Sequence, residues 1–421
     1  MKRISDMQLF QDKLNVTQKN RSNLFNWRGQ FTPQFVEYIL TEFAEQGNLV
    51  VDPFSGSGTV LQEAARLDLR ATGFEINPAA YAMSRFFTFC NIPYPDRFDF
   101  CNNFELKLNF QLSQLNGQKV YIENEDYRVA YANLLSFAKT LNQNISDKKE
   151  RVLLLNLLFL SERDKGLSLK ESVLKSFQYI KNAILGLPFT EQTINAFLKD
   201  SRCVSDDLES EVDLIFTSPP YINVFNYHQN FRAIVETFHF DILKVAHSEF
   251  GSNRKNRGNR FKTVIQYCLD MELATRSFWA ALKPNAKLIL VLGRESNVRG
   301  TPFYNGKMVI EILESCNGFS DIKTMERQFI NKFGNNIKED IIIATKSNAL
   351  SDNLSGRSIS LKHLEHGLRT TQNGVHSDIK DAIFNIEEVK PSPFFNSQQI
   401  ITYGEHTTQR ETFGGNQQSK I

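Results

Sequence analysis

The sequence predicts an α/β protein built on a doubly wound sheet, and three observations predict it. Leu49-Val50-Val51-Asp52 is an apolar run closed by an acid; a glycine turn through Gly58 and the helix-like stretch Val60 to Leu67 follow it. Ala71 to Glu75 repeats the strand-then-acid pattern, and Pro78 opens the next helix. Val212 to Phe216, Ala286 to Gly293 and Asp340 to Thr345 are further apolar runs of the kind that fill the interior of a sheet.

A chain of 421 residues with 41% hydrophobic content can bury a full core. Its 49 basic and 47 acidic side chains nearly cancel to +2, so any nucleic-acid surface has to come from local clustering. Cys90, Cys101, Cys203, Cys268 and Cys316 lack paired spacing, which fits free thiols in a reducing compartment and suggests no disulfide framework and no metal site. The most apolar stretch, Val152 to Leu160, is broken by Asn156 and falls short of the roughly 20 residues of a membrane span. Met1 to Asp6 carries no apolar export signal, so a cytoplasmic protein is expected.

Taken in order, residues 1–25 read as a polar arm. Thr32-Pro33 opens a helix with Phe35, Ile39, Leu40 and Phe43 at helical spacing. Residues 26–95 then form a cofactor-binding half. A third strand should follow within a few dozen residues, yet 96–195 intervenes as a mainly helical insertion. There Val173, Leu174, Phe177, Ile180 and Ile184 make one stripe, and Arg151 to Arg163 reads as a buried helix. The core resumes near Asp200-Ser201-Arg202, and 196–346 forms a second half in which Phe278 to Asn285 reads as helix then turn. From Ser347 the composition turns polar, which predicts either a small recognition appendage or partial disorder over 347–421, with one strand-like run at Gln399 to Tyr403.

Gly56 and Gly58 let the backbone approach a ligand, and the helix start behind them faces an anion such as a carboxylate. Val60-Leu61 stands where the third glycine of a dinucleotide loop would fall, which disfavours a pyrophosphate. Asp52 is placed to accept from an ammonium, and Glu75 to hold two ribose hydroxyls. Thr217-Ser218-Pro219-Pro220-Tyr221 closes a strand with a stiff turn carrying a ring, suited to holding a flat base. Arg254, Lys255, Arg257, Arg260 and Lys262 put five positive charges into ten acid-free residues, the best phosphate-contacting loop in the chain. Asn223, Asn226, Tyr227, His228, Asn230 and Arg232 are weaker candidates for contacts to a nucleotide.

Asp52-Pro53-Phe54-Ser55-Gly56-Ser57-Gly58-Thr59 combined with Ser218-Pro219-Pro220-Tyr221 resembles the amino-methylating DNA methyltransferases, over roughly residues 26–95 and 195–346. The resemblance implies a Rossmann-like class I methyltransferase fold and S-adenosylmethionine as cofactor. It implies cofactor contacts from Phe31, Thr32, Asp52, Phe54, Gly56, Gly58, Thr59, Glu75, Asn77 and Asp200, the last receiving the adenine amino group, with Asp206 and Asp207 as competitors. It also implies Ser218, Pro219, Pro220 and Tyr221 as the catalytic turn. The Ser218 hydroxyl and Pro219 carbonyl would accept the amine hydrogens of the target, and Tyr221 would stack on a base flipped out of double-stranded DNA.

Serine at the head of the motif points to cytosine N4, with adenine N6 as the close rival. RNA guanine-N2 methylation is a further alternative; those enzymes usually carry an RNA-binding domain ahead of the catalytic one, and about 25 residues are too few for one. A non-catalytic scaffold is disfavoured by the intact motifs, and cytosine-C5 chemistry by the lack of a Pro-Cys pair. A restriction-modification role with a separately encoded restriction endonuclease is the expected setting.

Overall fold

The computed structural model describes residues 9–17, 19–114, 127–162, 167–222, 227–252, 256–330, 334–347, 349–371 and 373–397. The chain opens with α1 (Gln11–Asn15) and α2 (Pro33–Phe43), then β1 (Leu49–Asp52), α3 (Thr59–Arg66), β2 (Arg70–Glu75) and α4 (Pro78–Phe86). Helices α5 (Tyr94–Ser113), α6 (Tyr127–Gln143), α7 (Lys148–Ser161) and α8 (Leu169–Gly186) stand between these and β3 (Ile194–Leu198). There follow α9 (Ser205–Leu208), β4 (Val212–Thr217), α10 (Arg232–Thr237), α11 (Ile242–Ser248), α12 (Lys262–Ala281) and β5 (Leu282–Gly293). The hairpin β6 (Glu295–Val298) and β7 (Thr301–Tyr304), α13 (Asn305–Ser315), β8 (Phe319–Ile330), β9 (Asn336–Lys346), α14 (Gly356–Thr370) and α15 (His376–Phe384) complete it.

The main sheet runs β3-β2-β1-β4-β5-β9-β8. Its first five strands are parallel, and β9 and β8 are antiparallel to their neighbours. This is the Rossmann-like doubly wound sheet of the class I methyltransferase fold. Chain order moves outward from β1 through β2 to β3, then returns to β4 on the other side. The crevice of such a sheet opens at that reversal, beyond the carboxyl ends of β1 and β4.

Alternate strand residues feed two cores. Val50, Phe216, Ile289 and Ile343 face α2 and the α5 to α8 helices, while Val51, Ile215, Leu290 and Ile342 face α12 and α13. Among the helices beyond β2, α7 is buried over most of its length, and its Asn156 amide donates to Ala82 O and Val152 O, each at 2.9 Å. The amide nitrogen of this buried helix is thereby satisfied, while Asn156 Oδ1 has no hydrogen-bond partner.

Described parts of both terminal segments pack onto the body of the protein. In the N-terminal arm Gln11 Nε2 donates to Glu326 O at 2.7 Å, and Gln328 N donates to Asn15 Oδ1 at 2.9 Å. Helix α1 thereby covers edge strand β8, whose backbone would otherwise be open to pairing. Residues 349–371 and 373–397 fold back on α12, through the Gly356 amide, which donates to Glu272, and through Ser392, whose backbone and hydroxyl both donate to Asp270. The run Gln399 to Tyr403 lies outside the described residues. The stretch Phe278 to Asn285, read as helix then turn, closes α12 at Ala281, and its turn falls inside the span of β5: Val212 pairs with Leu282 but Leu214 with Lys287, so residues 283–286 loop out, with Asn285 at φ 64°. No described helix is long and apolar enough to cross a membrane.

Candidate active site

The glycine turn is built around Glu75. Its carboxylate accepts from Gly56 N at 2.9 Å and Asn77 N at 2.8 Å, so the end of β2 ties the turn after β1 to the start of α4. Gly58 caps α3 at φ 86°; a Cβ there would stand 2.8 Å from the Phe87 ring and 2.9 Å from Ser84 Cα, which excludes any side chain. Asp52 Oδ1 accepts from the Thr217 hydroxyl at 2.6 Å and from Phe54 N at 3.2 Å. Burial raises the pKa of both acids to about 7, from ordinary values of 3.8 for Asp52 and 4.5 for Glu75; for each, the hydrogen bonds it accepts oppose the rise.

Ser218 to Tyr221 follow the carboxyl end of β4. The Ser218 hydroxyl lies 3.5 Å from the Tyr221 hydroxyl, and the Tyr221 ring packs on Gly293, where a Cβ would come within 2.7 Å of the ring. By the Tyr221 hydroxyl stand Glu339 of β9 and its partner Arg327 of β8, with Nε and Oε2 3.4 Å apart. The Arg327 guanidinium lies 3.9 Å from the centre of the Phe35 ring and leaves Nε and Nη1 without hydrogen-bond partners. Burial lowers the Arg327 pKa and raises that of Glu339, whose rise is opposed by the Arg327 charge and the Tyr221 hydroxyl. Burial likewise raises the Tyr221 pKa. None of this second tier of residues carries a motif, so only the strand register brings it to view.

A cavity of about 1160 Å³, open solvent at its mouth included, joins the two turns. Of the residues expected to hold a cofactor, Phe31, Asp52, Phe54, Gly56, Thr59, Glu75, Asn77 and Asp200 line it, as do Ser218, Pro219, Pro220 and Tyr221. Thr32 and Gly58 do not; the first precedes α2 without a side-chain cap and the second is filled in behind by Phe87 and Ser84. Asp200 is on the wall, but its carboxylate is committed. Oδ1 accepts from Arg202 N and Nε, and Oδ2 from Arg202 Nη2 and Phe395 N, at distances from 2.6 to 2.9 Å. Four bonds occupy the four lone-pair sites of a carboxylate, so the expectation that Asp200 receives an amino group is not met by a free acceptor. Its rivals Asp206 and Asp207 lie off the cavity and pair with Lys199 at 3.5 and 2.7 Å.

The wall also includes Trp27, Glu249 and Phe250, which sequence reading passes over, together with Tyr227, one of its weaker candidates. Trp27 and Tyr227 stack at 5.8 Å and close one side. Glu249 and Phe250 come from the loop after α11, which Gly251 seats against the catalytic turn: at φ 65°, a Cβ there would fall 2.0 Å from Tyr221 O. The His228 ring meets Glu249 Oε2 at 2.8 Å through Nδ1, so His228 is turned inward. Arg232 Nε donates to Glu236 at 2.7 Å on its own helix. Asn223 and Asn226 lie outside the described residues, as do Arg254 and Lys255. Of the remaining basic loop, Arg257 and Arg260 are exposed, while Lys262 stands 3.5 Å from Asp381 of α15. Asn259 Nδ2 donates to the same Asp381 at 2.8 Å, so the loop is moored to the C-terminal helices.

The wall suits S-adenosylmethionine. Asp52, Glu75, Asp200 and Glu249 face the cavity with Arg28 as the one cationic side chain among the described lining residues, which favours a cationic ligand. The buried Asn77 amide caps α4 through Oδ1 and leaves Nδ2 unpaired, a donor for a polar ligand. Residues 5–85 match the family model described as DNA methylase. The chain is 22% identical over 241 residues to the type II methyltransferase M.MjaII of Methanocaldococcus jannaschii, covering 55% of this chain and 37% of that relative. It thus spans little more than a third of the relative's length. Among solved structures, TrmN from Thermus thermophilus aligns over 76% of this chain and 50% of its own at 14% identity and TM-score 0.32. An S-adenosylmethionine-dependent methyltransferase from Methanosarcina mazei aligns over 73% and 96% at 12% identity and TM-score 0.31. The chain resembles the S-adenosylmethionine-dependent DNA amino-methyltransferases, and that family's cofactor is the one the cavity fits.

Proposed function

We propose that this chain, similar to the DNA methylases over its cofactor segment, transfers a methyl group to an exocyclic amine of a base in double-stranded DNA, with cytosine N4 as the preferred position. The observation that carries the reading is the opening of Ser218-Pro219-Pro220-Tyr221 into the cavity that the glycine turn and Glu75 also line. Two motifs far apart in sequence meet on one space, as a two-substrate transfer requires.

Bound S-adenosylmethionine supplies an electrophilic methyl on a sulfonium. The chain's residues do the rest by position and charge. A base's exocyclic nitrogen has its lone pair drawn into the ring, so it reacts only when held in line and when acceptors favour a pyramidal nitrogen. The Ser218 hydroxyl and Pro219 carbonyl are the acceptors, and two successive prolines hold them without reorganisation. Tyr221, wedged on Gly293, presents a fixed ring for stacking. The proton released from the methylated amine passes to Ser218 or to water.

Serine at the motif head favours cytosine over adenine. The likeness to a type II methyltransferase supports a role as the modification partner of a separate nuclease, acting on DNA in the cytoplasm. The test is nucleoside analysis of DNA and RNA incubated with the protein and labelled S-adenosylmethionine. N4-methylcytosine in DNA is expected; N6-methyladenine overturns the base, label only in RNA overturns the substrate, and no label overturns the activity. Protection of the methylated DNA from a cognate nuclease checks the biological role.

A further inference from the structure

Glu249 is a buried acid that the proposed chemistry does not use. It is 8% exposed, lines the cofactor cavity, and is held on one side only: His228 Nδ1 takes Oε2 at 2.8 Å, while Oε1 has no hydrogen-bond partner. A buried carboxylate oxygen left unpaired is costly unless something else supplies a donor. Glu249 shares its cavity with an acid in the opposite condition, since Asp200 has all its lone pairs taken by Arg202 and Phe395.

The position of Glu249 fixes which part of a cofactor it meets. At the carboxyl edge of the sheet Asp52 ends β1, Glu75 ends β2 and Asp200 follows β3, so the cavity runs from the methyl-transfer side outward in that order. The Glu249 charge acts on Glu75, raising its proton affinity. The adjoining Phe250 ring lies 5.1 Å from the Arg202 guanidinium that grips Asp200. Glu249 therefore stands beside Glu75 on a loop that spans from Phe54 and the Tyr221 carbonyl to Arg202, within reach of the nucleoside of a cofactor whose ribose Glu75 holds. The donors of that nucleoside are two ribose hydroxyls, suited to Glu75, and one exocyclic amine.

We propose that Glu249, rather than Asp200, accepts the hydrogen bond from the adenine amino group of the cofactor, and that His228 is the positioning residue that aims it. Asp200 then serves as the anchor of Arg202 and the C-terminal segment. This rests on the methyltransferase reading above. It has a physical logic: an acid placed on a loop after α11, fixed by a histidine, leaves the acid at the strand end free to bind the protein to itself.

Calorimetric titration of the full chain with S-adenosylhomocysteine and with S-inosylhomocysteine, in which a carbonyl replaces the amino group, tests it without any turnover. Wild type should bind the adenosyl compound about tenfold or more tightly, as expected for loss of a hydrogen bond to a charged buried acceptor. Glu249→Ala should bring the two affinities together. Glu249→Gln, whose amide can donate to the carbonyl, should shift the preference toward the inosyl compound, and it serves if the alanine variant fails to fold. A wild-type protein that binds both equally, or variants that keep the wild-type ratio, overturn the assignment while leaving the methyltransferase reading in place. A wild-type protein that binds neither compound overturns both.

Discussion

The Thr217 hydroxyl donates to Asp52 Oδ1 at 2.6 Å, joining the last residue of β4 to the last residue of β1. The two residues head the two motif turns, and both are buried. The bond sets the spacing between the cofactor turn and the catalytic turn at the point where the sheet reverses direction.

Thr217→Val keeps the shape and removes the donor, leaving a buried acid short of one partner. A stability loss of about 1–3 kcal/mol is expected, together with weaker binding of S-adenosylmethionine. Chemical denaturation and calorimetry check both. Unchanged cofactor affinity would separate the bond from the site.

Asp52 and Glu75 give the protein an opposed pair of pH dependences. Both have folded-state pKa values raised to about 7, from 3.8 and 4.5. Their contribution to stability is therefore complete below the unfolded values and lost as pH rises through about 7. A cationic ligand prefers the ionised acids, so its affinity rises over the same window. Thermal melts between about pH 5 and 8, with and without S-adenosylmethionine, should show the ligand-induced shift growing with pH. Asp52→Asn should flatten that growth; a shift that is constant with pH would contradict the assignment.

Glu339→Gln removes the charge that faces Arg327 by the Tyr221 hydroxyl. With Arg327 buried and two of its nitrogens already unpaired, stability should fall by about 3 kcal/mol or more, the cost of stranding a buried charge. The Tyr221 hydroxyl loses its charged acceptor, so kcat should fall while the KM for S-adenosylmethionine stays near wild type. Arg327→Met with Glu339→Gln should recover stability, because a neutral pair costs less than a stranded ion. Equal losses in kcat and cofactor KM would place the pair elsewhere in the mechanism.

Gly293→Ala would place a methyl 2.7 Å from the Tyr221 ring. Overpacking of this kind costs about 1–3 kcal/mol, and the ring has to move. Methyl transfer should drop well before cofactor binding does, as single-turnover assays and equilibrium titration would show.

Neutralising Arg257 and Arg260 together should weaken DNA binding and make its salt dependence shallower, by about one unit of slope for each phosphate left without its cation. A slope identical to wild type would remove this loop from the interface.

The sheet's centre was legible in the sequence because its strands are apolar on both faces and end in acids or glycine turns, as at Asp52, Glu75 and Gly293. Strand β8 was not, since Phe319 to Ile330 is mostly polar and exposed; it is a strand because β9 pairs with it and α1 covers its free side. The loop carrying Glu249 has no motif, and its seat on Tyr221 depends on one positive-φ glycine among residues with no periodicity. The commitment of Asp200 was hidden for a different reason. Its partners Arg202 and Phe395 are both in plain view, but nothing local to Phe395 says that it returns across nearly 200 residues to an acid after β3.

That return sets an order of events during synthesis. Arg202 is held by Asp200, by Asp270 and by the carbonyls of Ser392 and Pro393, so the hydrogen bonding that fixes Asp200 on the cavity wall is completed by the last described stretch of the chain. A ribosome exposes residues in sequence, and the exit tunnel delays the newest ones. A nascent chain that has already displayed both motif turns still lacks the pieces that lock Arg202. The Asp200 wall reaches its final set of hydrogen bonds only once Ser392 to Phe395 have emerged.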